Sequence, residues 1–104
     1  MFFKFSDMCS GGSMQTQYAT LFIEADSKQQ AVEVFEYHFD RSPYHTTCHC
    51  CGMDYSIMDY DTLEEATEYD LKSPPFLEKT EKKYPLTLEE YLDEPFVWIY
   101  YKSL

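Results

Sequence analysis

Residues 15–39, QTQYATLFIEADSKQQAVEVFEYHF, change period half-way, and that change decides the fold. From Gln15 to Ala25 the side chains alternate. Tyr18, Thr20, Phe22 and Glu24 fall on one face and Ala19, Leu21 and Ile23 on the other, the period of a strand. From Ser27 onward the spacing becomes helical, with Ala31, Val34, Phe35, His38 and Phe39 in one stripe and Val32 widening it. Ser27 with Gln30 three residues later is a capping-box pattern, and Asp40-Arg41-Ser42-Pro43 stops the helix.

Working outward, FFKFSDM (Phe2 to Met8) reads as an earlier strand, joined to residues 15–25 through the Ser10–Ser13 turn as a hairpin. YSIMDY (Tyr55 to Tyr60) reads as a third strand, and with the preceding strand and helix it makes a β-α-β unit of the right-handed kind. Thr62/Glu65 and Thr87/Glu90 repeat the capping-box pattern, opening helices from Leu63 to about Asp70 and over LEEYLDE (Leu88 to Glu94). Between them, KSPPFLEKTEKKYP is a proline-bounded loop. FVWIYYK (Phe96 to Lys102) is a last strand, apolar on both faces, and for that reason expected at the centre of the sheet.

The order β-β-α-β-α-α-β predicts a single α+β domain over residues 1–104. Its expected form is a two-layer sandwich, ferredoxin-like in outline, with a mixed or antiparallel sheet of about four strands. Helices would cover one sheet face. The other would carry tyrosines, a surface suited to a protein partner and one that leaves a homodimer open.

The chain has 104 residues, 44% of them hydrophobic and 18% aromatic, with ten Tyr and eight Phe. That is too apolar for a disordered chain and enough for one ring-rich core. No apolar run is long enough to cross a bilayer, and MFFKFSDMCSGG lacks the pattern of a signal peptide. Four cysteines in that setting read as thiols or metal ligands of a reducing cytoplasm.

Net charge is −11, from 19 acidic and 8 basic residues, and the excess is concentrated C-terminally. Residues 1–53 hold six acids and three bases, whereas residues 54–104 hold thirteen and five. A field of that sign disfavours direct contact with nucleic acid or an anionic membrane and favours a basic protein partner.

Tyrosine stands beside an acid at Glu36-Tyr37, Asp54-Tyr55, Asp59-Tyr60-Asp61, Glu68-Tyr69-Asp70 and Glu90-Tyr91. Such pairs combine rigid contact area with acceptors for arginine. The expected contact residues are Asp54, Tyr55, Asp59, Tyr60, Asp61, Glu64, Glu65, Glu68 and Tyr69. The competing reading is that these tyrosines are half-buried at the edges of their elements.

TTCHCC (Thr46 to Cys51) concentrates three cysteines. Cys48-x-x-Cys51-Gly52 has zinc-knuckle spacing, but no second pair of that spacing exists. His45 and Cys9 are the candidate third and fourth ligands, provided Cys9 and the turn meet at one end of the sheet, with Cys50, His49 and His38 in reserve. One zinc ion and reduced thiols packing a turn both remain open. A redox pair lacks the helix N-terminus that would stabilise its thiolate. His38 in the last turn of its helix reads as a histidine at the core edge.

No phosphate loop, nucleophile elbow or zinc-protease motif occurs, and the many carboxylates sit at solvated helix positions, so no enzyme is expected. The remaining catalytic alternative is a cysteine nucleophile at Cys48, Cys50 or Cys51.

The segment CHCCGMDYSIMDYDTLEEATEYD resembles small uncharacterised bacteriophage proteins that carry C-x-C-C-G-x-D-Y-S-I followed by an L-E-E-A-T helix. The matching positions are Cys48, Cys50, Cys51, Gly52, Asp54, Tyr55, Ser56 and Ile57, then Leu63 to Thr67. The resemblance implies a phage accessory protein working in the host cytoplasm, of the sort that binds and blocks host nucleic-acid-handling or defence machinery.

Overall fold

A computed structural model describes residues 1–7, 18–44, 55–72 and 83–102. It has an α+β fold: four strands, β1 (Phe2–Asp7), β2 (Thr20–Glu24), β3 (Tyr55–Tyr60) and β4 (Val97–Tyr100), with helices α1 (Lys28–Phe39), α2 (Leu63–Thr67) and α3 (Leu88–Leu92). The strands form one open sheet in the order β3-β1-β2-β4.

β1 runs antiparallel to both β2 and β3, with Phe5 opposite Leu21 on one side and Ile57 on the other. β2 and β3 are therefore parallel, with β1 between them, and α1 makes the crossover. This is the β-α-β unit in its split form. β4 pairs in parallel with β2, so the sheet is mixed.

Two features differ from the sequence reading. Helices cover both sheet faces rather than one, and β4 lies at the sheet edge rather than its centre. The cause is visible in β2, where Leu21, Phe22 and Ile23 are consecutive and all fully buried. Consecutive strand residues point to opposite faces, so both faces need cover. Phe3, Phe5, Leu21, Ile23 and Tyr55 pack with Ala31 and Phe35 of α1 on one face. On the other, Phe22 and Val97 pack with Leu63 and Ala66 of α2, Tyr91 of α3, and Leu86 and Phe96. β4 is apolar on both sides for the same reason, since each face is covered although one edge is open. The open tyrosine-bearing face expected to serve a partner or a second copy is covered by α2 and α3.

Local signals set the helix limits. Ser27 accepts from the Gln30 N–H at 3.2 Å, but the Gln30 side chain returns to the Asp26 N–H, one residue before the cap. Asp40 ends α1 in the left-handed region (φ 54°), its N–H donating to the Glu36 carbonyl at 2.8 Å. Asp tolerates that conformation better than most residues. At α2 Thr62 accepts from the Glu65 N–H, and the helix ends at Thr67, short of Asp70. At α3 the Thr87–Glu90 box closes in both directions. The peptide bond between Tyr84 and Pro85 is cis.

Candidate functional site: an acidic corner beside a polar core

The turn after β3 and α2 together form the acidic corner. Leu63, Ala66 and Thr67 are buried, and the Thr67 hydroxyl donates to the Leu63 carbonyl at 2.9 Å. Fixing those three positions inward leaves Glu64, Glu65 and Glu68 facing solvent. Asp61, just before the Thr62 cap, is exposed as well; Asp59 near the end of β3 is also exposed, but it lies opposite Phe3 on the α1 face, where it lines a hollow with Lys28. Tyr69 is 76% exposed. Glu64 and Glu65 lie in the first turn of α2, where the helix dipole favours negative charge. Among the described residues Asp59, Asp61, Glu64 and Glu65 have no ion pair within 4.0 Å, whereas Glu68 meets Lys72 at 3.7 Å in full solvent.

Not every residue of the acid-tyrosine pattern is at this surface. Tyr55 is 1% exposed, packs against Phe35, and its hydroxyl donates to the Tyr18 carbonyl at 3.1 Å. It is a core residue. Tyr60 is half-buried, and Tyr91 is also in the core. Asp54 lies outside the described residues, as do Cys9, His45, Cys48 and Cys51. Among the described residues no three His, Cys, Asp or Glu side chains come together as a metal site.

Under the same layer lies a polar cluster that sequence reasoning missed. Lys4, on the β1 face that α2 covers, forms an ion pair with Asp70 at 2.6 Å, and the Tyr91 hydroxyl donates to the same carboxylate oxygen at 3.1 Å. Burial, then the Asp70 charge, pushes the Tyr91 hydroxyl far above its ordinary pKa of 10.0. Burial and the carboxylates of Glu94 and Asp70 also raise the pKa of Tyr84, whose buried hydroxyl has no hydrogen-bond partner among the described residues. The signal for this cluster was Lys4 itself, a lone cation in an apolar central strand.

On the opposite sheet face the exposed His38 packs its ring at 5.2 Å from Trp98 and 5.5 Å from Tyr100. This is the core-edge position its helical spacing implied. Beside it Tyr37 is exposed over 85% of its surface.

No protein-family model, curated protein or solved structure matches the chain. No helix among the described residues is long and apolar enough to cross a membrane.

Proposed function

We propose that this chain is a non-enzymatic interaction protein that binds a basic protein partner through its acidic, tyrosine-bearing surface. The observation that carries this reading is the set of three exposed carboxylates at the start of α2, Asp61, Glu64 and Glu65, with no cation in ion-pair reach among the described residues. Carboxylates gathered at one corner without counter-charge repel one another, and an arginine- or lysine-bearing surface relieves that repulsion. With the resemblance to phage accessory proteins, the partner class is a host nucleic-acid-handling or defence protein, held inactive by occupation of its basic groove. The test is anisotropy of a labelled hexa-arginine peptide at about 0.1 M and about 1 M salt, where the screening length falls from about 10 Å to about 3 Å. Binding is expected at the lower salt and its loss at the higher. Absence of binding at low salt, or binding indifferent to salt, would refute the reading.

A second reading, a zinc-stabilised binding module, is favoured by the pairing of strand ends. Asp7, the last residue of β1, lies opposite Tyr55, the first of β3. β1 therefore ends and β3 begins at the same end of the sheet, and in the sequence Cys9 follows Asp7 by two residues while Cys51 precedes Tyr55 by four, which supports this reading of Cys9, His45, Cys48 and Cys51. Structural zinc contributes folding free energy directly. In this reading a chelator lowers the melting temperature of protein purified without added metal, and zinc restores it. An unchanged melting temperature together with a metal-free native mass would eliminate the module.

A further inference from the structure

We propose that the outer face of α1 is a second contact surface for the same class of partner, at which two arginine side chains lie one on each side of Tyr37. The proposal rests on the basic-partner reading above and adds to it a place and a residue type.

Tyr37 has the greatest exposure, 85%, among the large apolar residues described. It stands on a helix fixed to the sheet by Ala31 and Phe35, both fully buried, so its backbone is held while its ring is left without cover. On one side is a hollow of about 560 Å³ between α1 and the sheet, lined by Glu24, Glu33, Val34, Tyr37, His38 and Tyr100. On the other is a hollow of about 540 Å³ along the end of α1, lined by Glu33, Glu36, Tyr37, Asp40 and Arg41. Glu33 and Tyr37 belong to both. The tyrosine is thus a ridge between two concave, carboxylate-lined surfaces.

The charges in each hollow favour a cation. Lys102 borders the first, but its ammonium is bound by Asp26, whose carboxyl it holds below the ordinary pKa of 3.8, and its backbone N–H donates to Glu24 at 3.0 Å. Glu24 and Glu33 remain as excess negative charge. In the second hollow three carboxylates face one arginine.

Aromatic walls separate arginine from lysine. His38 meets Tyr37 edge-on at 5.2 Å and lies against Tyr100, so the first hollow presents rings beside carboxylates. A guanidinium stacks on a ring while its fork engages a carboxylate, whereas an ammonium is a hydrated point charge. A second copy of this chain cannot be the occupant. Its sequence contains a single arginine, Arg41, and every copy carries a charge of −11.

The experiment is an amide chemical-shift titration of the whole chain with an acetylated, amidated hexa-arginine peptide, repeated with hexalysine. Shifts are expected along Glu33–Asp40, with hexalysine weaker. Tyr37→Ala should weaken binding at that face roughly threefold to fivefold, the scale of an exposed cation–π contact. A variant with Asp61→Asn, Glu64→Gln and Glu65→Gln removes three charges at the other corner and should leave binding at α1 unchanged. Shifts confined to Leu63–Thr67, or a Tyr37→Ala variant that binds like the parent, would overturn the α1 assignment and leave the basic-partner reading standing. Absence of shifts at both faces would overturn both. Because Tyr37 is exposed, the alanine variant keeps the fold.

Discussion

Phe35→Ala is expected to cost about 3–5 kcal/mol of folding free energy, the range for deleting a buried aromatic side chain. Phe35 is fully buried and sits where α1 meets the sheet. Its ring stacks on Phe5 at 5.3 Å with the planes 3° apart, meets Tyr55 at 5.4 Å and Phe39 at 5.0 Å. Those three partners come from β1, β3 and α1, so the loss is felt in two strands as well as in the helix itself. Nor can the site collapse easily, because Phe5 is held in a central strand and Tyr55 is tied to the Tyr18 carbonyl. For a chain of 104 residues the total stability is of the order of 5–15 kcal/mol, so the variant would lose a large share of it. Urea denaturation followed by circular dichroism measures the difference. Tyr37→Ala, two residues away and exposed, serves as the control and should stay within about 0.5 kcal/mol of the parent. A Phe35→Ala cost below about 1 kcal/mol would mean that the α1 face of the core is not packed as described.

The change of period in residues 15–39 was legible because strand and helix repeats differ, and Ser27 and Asp40 mark where one stops and the next ends. The place of β4 was not legible. A strand apolar on both faces can be central, or it can be an edge strand covered by helices on each side, and composition is the same in both cases. The third consecutive buried residue in β2 carried the missing information, since strict alternation cannot bury Leu21, Phe22 and Ile23 together on one face.

The acid-tyrosine pattern misled for a related reason. Tyr55 follows Asp54 and Tyr69 follows Glu68, yet the first is buried and the second is 76% exposed. A neighbouring acid does not aim a side chain; the phase of the strand or helix does. Tyr55 shares its sheet face with Ile57, opposite Phe5, which turns it towards α1. Tyr69 lies beyond Thr67, the last buried position of α2, and is left in solvent. The exposed carboxylates of α2 were legible because Leu63, Ala66 and Thr67 mark the buried stripe and the acids occupy the positions between.

The second large effect is expected at Asp70. Its carboxylate receives both the Lys4 ammonium, at 2.6 Å, and the Tyr91 hydroxyl, at 3.1 Å. The Lys4 and Asp70 side chains are 15% and 19% exposed, so the pair sits between two regimes. Fully exposed pairs contribute about 0–1 kcal/mol, whereas removing one partner of a fully buried pair costs about 3–5 kcal/mol. Asp70→Ala is therefore expected to destabilise the fold by about 2–3 kcal/mol at neutral pH, because it leaves a lysine in the central strand facing Phe22 and Met58 without its counter-ion. Replacing both partners, Lys4→Met with Asp70→Leu, should recover most of that loss, since the larger part of it is the stranded charge and not the attraction. The same cluster sets the alkaline limit. Tyr91 has a folded pKa above its unfolded value of 10.0, raised by burial first and Asp70 second. Its contribution is complete below pH 10 and is lost as pH rises beyond that, with a slope of up to about 1.4 kcal/mol per pH unit. Denaturation curves at pH 7 and above pH 10, with tyrosinate absorbance recorded alongside, test both parts. Ionisation of Tyr91 is expected only together with unfolding, so its absorbance change should disappear from the unfolding transition in Tyr91→Phe. A Tyr91 that titrates freely near pH 10 in the folded chain, or an Asp70→Ala variant as stable as the parent, would place the Lys4–Asp70–Tyr91 cluster in water and remove it as a support of the α2 and α3 layer.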